Sequence, residues 1–228
     1  MQRVDGRRFG RGVFLATVAG GLSSLWWGKA VWGSVSGPVS RAAESIAPIL
    51  PSNGWRIYTV AATMPVFEPA TWHLKIGGMV ARPQELSYHA LRALPRVSQV
   101  SDFHCVTGWS VNGVHWRGVR FKDLLAAAKP MAGAHALEFV SAEKPYVDYL
   151  TLAQAMLPDA MLAWAMDGKP LRQEHGAPVR VVIPEMYGYK NVKWVAEINL
   201  VPETGSGYWE QRGYDNDAWV GRSNGYYS

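Results

Sequence analysis

The chain has 228 residues, of which 48% are hydrophobic and 12% aromatic, a composition typical of one globular domain with a sizeable core. Residues 1–36 carry +4 of the formal net charge of +5, so the rest of the chain has no basic surface suited to nucleic acid, and we expect no nucleic-acid partner. One cysteine excludes an intrachain disulfide, and six histidines without paired spacing argue against a metal held by several protein ligands.

The first 36 residues are typical of an export signal. A basic start through Arg11 is followed by an uncharged, largely apolar run over 12–28 and by small residues at 34–36. The start Arg7-Arg8-Phe9 resembles a twin-arginine signal, although its phenylalanine comes one position early. A run this short is also at the lower limit of a membrane span, so a cleaved leader and a retained membrane anchor both stay open. We expect a periplasmic or otherwise exported protein.

The chain is predicted to divide into the signal at 1–36, a linker at 37–54 and one domain at 55–228. The linker is rich in Pro, Ser, Ala and Gly, with at most a short helix near 42–46. Strands are predicted over 56–61, 72–77, 97–106, 137–141, 179–183 and 193–201. Helices are predicted over 86–94, with Ser87 as N-cap, over 121–128, and from 152.

The pattern of these elements predicts the fold class. Short strands outnumber helices, and no βαβ rhythm runs along the chain, which is typical of an α+β domain that is mostly β. The tail from residue 205 to 228 is rich in Tyr, Trp, Gly and Asn and lacks periodicity. We predict that this tail packs as an irregular segment.

Cys105 is predicted to lie at the end of a strand, before a turn of small and polar residues. Three interpretations are open: an inert buried thiol, a nucleophile beside His104, and a soft ligand for a redox metal. Neighbouring residues on a strand point to opposite faces, which weakens the pairing with His104. Composition alone favours the inert thiol.

Four motifs follow one another from Cys105 onwards. They are Cys-Val-Thr-Gly-Trp-Ser at 105–110, Lys-Pro-Tyr-Val-Asp at 144–148, Gly-Ala-Pro-Val-Arg at 176–180 and Tyr-Gly-Tyr-Lys-Asn-Val-Lys-Trp at 187–194. In this order they resemble the sulfite-oxidase-fold molybdopterin proteins, most closely the YedY-like branch of periplasmic methionine sulfoxide reductase catalytic subunits. The resemblance covers about residues 55–201. It implies a sulfite-oxidase-type molybdopterin-binding domain, here expected without the C-terminal immunoglobulin-like dimerisation domain.

The resemblance also implies which residues surround the molybdenum cofactor. Cys105 matches the thiolate ligand of the metal, and one protein thiolate is enough because the pterin brings a dithiolene of its own. The residues at positions of cofactor contacts are Arg56, Tyr58, Ser141, His175, Arg180, Lys190, Asn191, Val192 and Lys193. The cations among them suit the pterin phosphate, and a solvated strand edge is their alternative role. His104 and Tyr146 are the first candidates to face the open metal position, and either could instead belong to the core.

The function that the resemblance implies is a molybdenum-dependent oxidoreductase, which moves an oxygen atom to or from a small or protein-bound sulfoxide-like substrate. Its electrons would come from a membrane cytochrome b or a cytochrome c. Gly108, Trp109 and Ser110 stand where sulfite oxidases carry arginines that hold sulfite, which favours a reductase. A sulfite-type oxidase and a non-enzymatic exported binding protein are the alternatives.

Overall fold

The computed structural model describes residues 49–52 and 54–225. The predicted export signal and the predicted helix near 42–46 lie outside the described residues. Strand Ile49–Ser52 falls within the segment predicted as a linker and pairs antiparallel with Trp55–Ile57, so strand structure reaches into that segment. Among the described residues, no helix has the length and apolar character that a membrane crossing requires.

The described chain contains twelve strands and three short α-helices. The strands are β1 Ile49–Ser52, β2 Trp55–Ile57, β3 His73–Gly78, β4 Gln84–Ser87, β5 Arg96–Cys105, β6 Trp109–Arg120, β7 Ala136–Ser141, β8 Val147–Thr151, β9 Met161–Met166, β10 Lys169–Pro170, β11 Arg180–Val182 and β12 Val195–Val201. The helices are α1 Tyr88–Ala93, α2 Phe121–Ala126 and α3 Leu152–Ala155. Single 3₁₀ turns cover Gln173–His175, Gly188–Lys190 and Glu210–Arg212.

Two five-stranded sheets carry the domain. One has the order β10-β9-β6-β5, with β11 also paired to β9, and the other has the order β4-β3-β12-β7-β8. Only the pair β12–β3 is parallel among these, and all other pairs are antiparallel. Antiparallel strands need no helical crossover, which explains the short helices. The predicted α+β class, mostly β, is confirmed.

The β5–β6 hairpin carries Cys105 as the last residue of its first strand. The turn closes because the backbone N–H of Gly108, in the left-handed region with φ of 92°, donates to the carbonyl of Cys105 at 3.0 Å. Across the hairpin Cys105 faces Trp109, and His104 faces Ser110. Side chains alternate along a strand, so Cys105 and Trp109 share one face while His104 and Ser110 share the other.

The observed positions of two helices and of strand β6 can be compared with those predicted from the sequence. Helix α1 begins after Ser87, whose hydroxyl accepts from the N–H of Ala90 at 3.2 Å, as predicted for an N-cap. Strand β6 was not predicted, because Gly118 interrupts its pattern. That glycine lies against β9, where a Cβ would collide with the carbonyl oxygen of Leu162. The motif at 144–148, predicted to precede a helix, runs into β8 before helix α3 begins.

Candidate functional site

Arg180, on β11, is a buried cation with no anionic partner. Its side chain is 3% exposed, and its guanidinium donates to the carbonyls of His175 at 3.2 Å and Asn191 at 3.3 Å. Among the described residues no carboxylate forms an ion pair with it. Burial lowers the pKa of Arg180 to about 10, although the neighbouring Tyr146 acts in the opposite direction. A buried guanidinium of this kind is suited to an anionic ligand.

Lys193 is a half-buried cation in the same region. Its ammonium donates to the carbonyl of Tyr58 at 2.5 Å and lies 4.0 Å from the centre of the Trp194 ring. Burial lowers the pKa of Lys193 to about 7, and Arg180 lowers it further while Glu143 raises it. Within residues 54–225 no carboxylate lies within ion-pair distance of it. The charge of Arg180 thus disfavours protonation of Lys193 in the same region.

His175 adds an unpartnered polar atom to the same region. The residue is 1% exposed, and its Nδ1 has no hydrogen-bond partner among the described residues, while Nε2 lies 3.3 Å from an Arg172 nitrogen. Burial, with Arg180 as the next cause, lowers the pKa of His175 to about 4, so the imidazole is neutral at pH 7. Gly176 follows with φ of +99°, and a Cβ there would lie 2.8 Å from that of Lys193. A glycine is thus needed for this close approach.

The Cys105 thiol lies on the same side of the hairpin as these groups. Phe103, two residues earlier on that face, has its ring 5.4 Å from the Arg180 guanidinium and 5.6 Å from the Trp109 ring. The thiol is half-buried and lies 3.1 Å from the Thr107 hydroxyl. Burial raises the pKa of Cys105, and Thr107 and the charge of Arg56 only partly oppose this. A bound cation would be needed to keep this thiol ionised at neutral pH.

The family model described as "Oxidoreductase molybdopterin binding domain" matches residues 61–209. The chain belongs to this family of molybdopterin-binding oxidoreductases. It is 38% identical over 161 residues to the "Uncharacterized oxidoreductase YuiH" of Bacillus subtilis, covering 68% of this chain and 80% of that protein. It is 32% identical to the "Putative protein-methionine-sulfoxide reductase subunit YedZ1" of Azospira oryzae, covering 68% of this chain and 58% of the relative.

A solved structure has a similar fold. The "Sulfane Dehydrogenase SoxCD" of Paracoccus pantotrophus superposes with a TM-score of 0.62 at 20% identity, over 80% of this chain and 60% of that one. At this identity the likeness concerns the fold alone. Together with the family match it confirms the predicted sulfite-oxidase-type molybdopterin-binding domain.

Several residues that the resemblance placed at the cofactor form hydrogen bonds with backbone groups near Arg180 and Lys193 or pack in the core there. Ser141 donates from its hydroxyl to the carbonyl of Lys193 at 2.8 Å. The side-chain oxygen of Asn191 accepts from the N–H of Ile183 at 2.9 Å. The backbone carbonyl of Asn191 accepts from the Arg180 guanidinium. Val192 is 1% exposed and belongs to the core. These residues fix the course of the chain between β11 and β12, which carries Lys193.

Two residues that the sequence analysis missed belong to this region. Glu143 is buried, and its carboxylate accepts from the N–H of Val60 at 2.8 Å and from the hydroxyl of Thr59, which holds the segment after Tyr58 in place. Tyr214 lies close enough to Cys105 and Tyr58 for both to raise its pKa, beyond the larger effect of burial. The abundance of tyrosine in the tail was the one signal in the sequence for Tyr214.

Arg56, on β2, and Tyr58, which follows that strand, both lie near the thiol, and their predicted contact with the cofactor stays a prediction. The Tyr58 ring stacks on that of Trp109, with centroids 6.4 Å apart, and Trp109 is paired with Cys105 across the hairpin. Arg56 is exposed and contributes a positive charge that lowers the pKa of Cys105.

Three predicted site residues make their hydrogen bonds with other parts of the protein. The ammonium of Lys190 is 3% exposed, and its three donors go to Asp148 at 2.7 Å, to Glu210 and to the carbonyl of Tyr149 at 3.1 Å. No donor of Lys190 is left for a phosphate, so the predicted cofactor contact is corrected to an ion-pair role inside the protein.

His104 and Tyr146 are the other two. His104 lies on the face of the hairpin opposite Cys105, with Nδ1 2.8 Å from the Ser110 hydroxyl, and borders a surface cavity of about 430 Å³. The hydroxyl of Tyr146 donates to the carbonyl of Tyr189 at 2.6 Å, and its ring stacks on another aromatic ring. His104 is turned away from the thiol, which corrects the expectation that it faces the metal position, whereas the expectation for Tyr146, whose hydroxyl binds the carbonyl of Tyr189, stays a prediction.

The low pKa of Lys193 leads to a prediction for the protein without cofactor. In the unfolded chain a lysine titrates at about 10.4, so between about pH 7 and 10 the unfolded state binds more protons than the folded state. Lys193 therefore makes the free energy of unfolding rise with pH across this window. Urea unfolding of the wild type and of Lys193→Met, compared at several pH values, is expected to show a flatter pH profile for the variant. Identical slopes for the two proteins would contradict it.

Proposed function

We propose that the protein is an exported oxidoreductase in which Cys105 supplies the thiolate ligand of molybdenum, and in which an oxygen atom moves to or from a sulfoxide-like substrate. The observation that supports this best is a pair of cations, the buried Arg180 and the half-buried Lys193. They lack a carboxylate partner in the described chain, and they lie on the same face of the domain as a half-buried thiol. An anionic cofactor that carries a metal would complement both features.

The residues present fit molybdopterin. The cofactor's phosphate would be held by Arg180 and Lys193, as a planar fork and a point charge. The unpartnered Nδ1 of His175 and the unpartnered indole N–H of Trp116, whose ring lies 5.4 Å from the Arg180 guanidinium, would serve the polar edge of the pterin. Gly176 would leave room beside them. Cys105 would add one thiolate to the sulfur ligands of the pterin.

The chain's own part in turnover is binding, orientation and proton placement. When bound, the cofactor supplies the redox chemistry of oxygen-atom transfer. Burial, together with the nearby thiol, raises the pKa of Tyr214, so its hydroxyl stays protonated at neutral pH. That hydroxyl can donate a hydrogen bond to a substrate oxygen beside Cys105. The rings of Tyr58 and Trp109 form an apolar wall on the same side.

The charges around Cys105 favour a neutral sulfoxide over sulfite. Gly108, Trp109 and Ser110 follow the cysteine, and none of them can pair with an anion as a cation would. The relative from Azospira is named as a subunit of a methionine-sulfoxide reductase. Sulfite oxidation is the second candidate, and Arg56 is the observation that favours it, because its charge acts on the thiol.

Electrons must come from outside the described chain. Among the described residues, no group of three or more His, Cys, Asp or Glu side chains could hold a metal ion, so this part of the chain offers no second metal centre. We infer an external carrier, a membrane cytochrome b or a cytochrome c, that meets the protein after its export. The basic and apolar order of residues 1–36 supports export.

Substrate preference can be tested on protein loaded with molybdenum. We expect methionine sulfoxide to drive oxidation of a reduced viologen dye with a higher kcat/KM than sulfite shows with cytochrome c as acceptor. Arg56→Met, with rates normalised to molybdenum content, is expected to leave the KM for the sulfoxide nearly unchanged. Faster turnover of sulfite, with a KM that rises in Arg56→Met, would establish the oxidase instead.

A further inference from the structure

We propose that the buried ion cluster of Lys190, Asp148 and Glu210 positions Tyr214 for the substrate by fixing the chain segment over residues 207–214. The inference rests on the proposed function, in which the Tyr214 hydroxyl serves the substrate. It gives Lys190 the role of a positioning residue.

The ion cluster joins three separate parts of the fold. Asp148 lies on β8, Lys190 ends the 3₁₀ turn Gly188–Lys190, and Glu210 begins the 3₁₀ turn Glu210–Arg212. The side chains of all three are between 1% and 3% exposed at the ion pairs. Burial of charge is costly, and breaking one partner leaves the others uncompensated, so the segment that carries Glu210 is held at a defined place.

The chain before Glu210 is seated on the same cluster. Gly207 lies directly over the carboxylates, since a Cβ there would be 2.6 Å from an oxygen of Glu210 and 2.8 Å from one of Asp148. The next residue, Tyr208, donates its N–H to the carbonyl of Val147 on β8 at 2.8 Å. The segment is therefore fixed to β8 immediately before Trp209 and Glu210.

Both rings that hold Tyr214 are sequence neighbours of cluster members. Trp209 precedes Glu210 and packs edge-on against Tyr214 at 5.3 Å, while Tyr189 precedes Lys190 and also packs edge-on against Tyr214 at 5.3 Å. The N–H of Tyr214 donates to the carbonyl of Trp209 at 3.2 Å. A shift of the ion cluster would therefore be passed to the Tyr214 ring from two directions.

The net charge of the ion cluster is compatible with its staying buried. Two carboxylates face one ammonium, which binds one oxygen of each, and the second oxygens, Asp148 Oδ2 and Glu210 Oε2, have no hydrogen-bond partner among the described residues. Burial, opposed by Lys190 and reinforced by Glu210, raises the pKa of Asp148 to about 8, so one proton is retained on the carboxylates at neutral pH. Tyr146, Tyr149, Tyr189 and Glu143 are the other titratable groups that lie near it. A neutral cluster can stay buried.

The test combines hydrogen exchange with a double-mutant cycle. The Lys190→Met variant is expected to keep its molybdenum, and its backbone amides over 207–214 should exchange hydrogen faster than those of the wild type. Its kcat should fall by up to about a hundredfold, the loss that a displacement of about 1 Å in a catalytic site can cause. Tyr214→Phe is the matched variant, with lowered kcat and unchanged exchange. In the Tyr214→Phe background, Lys190→Met should cause no further loss of kcat.

Three outcomes overturn the proposal. The first is hydrogen exchange at 207–214 that is the same in Lys190→Met as in the wild type. The second is a loss of kcat on Lys190→Met that is equally large with Tyr or with Phe at position 214. The third is faster exchange across the whole domain of Lys190→Met together with loss of its molybdenum. Should Lys190→Met fail to fold, Glu210→Gln, which keeps a hydrogen-bonding group, is measured in the same way. The exchange result does not depend on the cofactor, so absence of molybdenum from the wild type would contradict the proposed function separately.

Discussion

Replacing Cys105 by serine is expected to remove molybdenum-dependent turnover. The hydroxyl of serine is a harder and much weaker ligand for a redox metal than a thiolate, and the rest of the chain has no other cysteine to replace it. Removing a residue that only orients a metal ligand typically lowers metal affinity or activity by about 10–100-fold. Loss of the ligand itself should therefore lower kcat by more than about a hundredfold. Steady-state turnover and molybdenum content of the purified variant measure the effect.

The control for this variant is Thr107→Val, which removes the hydroxyl that lies 3.1 Å from the thiol and leaves the sulfur in place. We expect it to retain molybdenum and to lose much less activity than Cys105→Ser. A serine variant with full molybdenum and full turnover would show that Cys105 is an inert thiol.

The second large effect is expected for Arg180→Met. The substitution leaves the carbonyls of His175 and Asn191 without a donor in a buried region, which costs about 1–3 kcal/mol for each unsatisfied group. It also removes the fork that we assign to the cofactor phosphate. We therefore expect a lower free energy of unfolding and a purified protein that retains little pterin. Denaturant unfolding and fluorescence of the released pterin measure the two effects.

Arg117→Met is the matched control, because Arg117 is exposed on β6, away from the cations. It should leave pterin content and stability close to those of the wild type. Equal pterin retention in Arg180→Met and Arg117→Met would contradict the assignment of Arg180 to the cofactor.

The part of the site that could be predicted is the part that local sequence determines. The strand before Cys105 and the turn after it are contiguous, so the pattern of residues at 97–110 was sufficient to place the thiol at the end of a strand, before a turn. The motif around Arg180 likewise placed a cation on a buried strand. In both cases the residues that decide the geometry are neighbours in the chain.

The part that could not be predicted depends on partners far apart in the sequence. Glu143 binds the backbone of Val60, 83 positions away, and nothing local to Glu143 indicates this. Lys190 has the same local pattern as Lys193, but Asp148 and Glu210 are brought to it by β8 and by the tail. Burial of charge is a tertiary property, so two lysines of one motif received the same prediction and have different roles.

The fold shows the same division. Helix α1 begins at its predicted cap because the Ser87 hydroxyl and the N–H of Ala90 lie within one turn. The parallel pairing of β12 with β3 joins residues more than a hundred positions apart, and no local pattern specifies it. Strand β9 is buried along almost its whole length, so its residues show no alternation that would predict a strand.

The most direct test of the central claim is the metal and pterin content of the wild-type protein, purified from the exported fraction of a host that makes the molybdenum cofactor. We predict molybdenum and pterin in amounts equimolar with the chain, and loss of the molybdenum in Cys105→Ser prepared in parallel. Wild-type protein that is folded but contains neither molybdenum nor pterin would contradict the account.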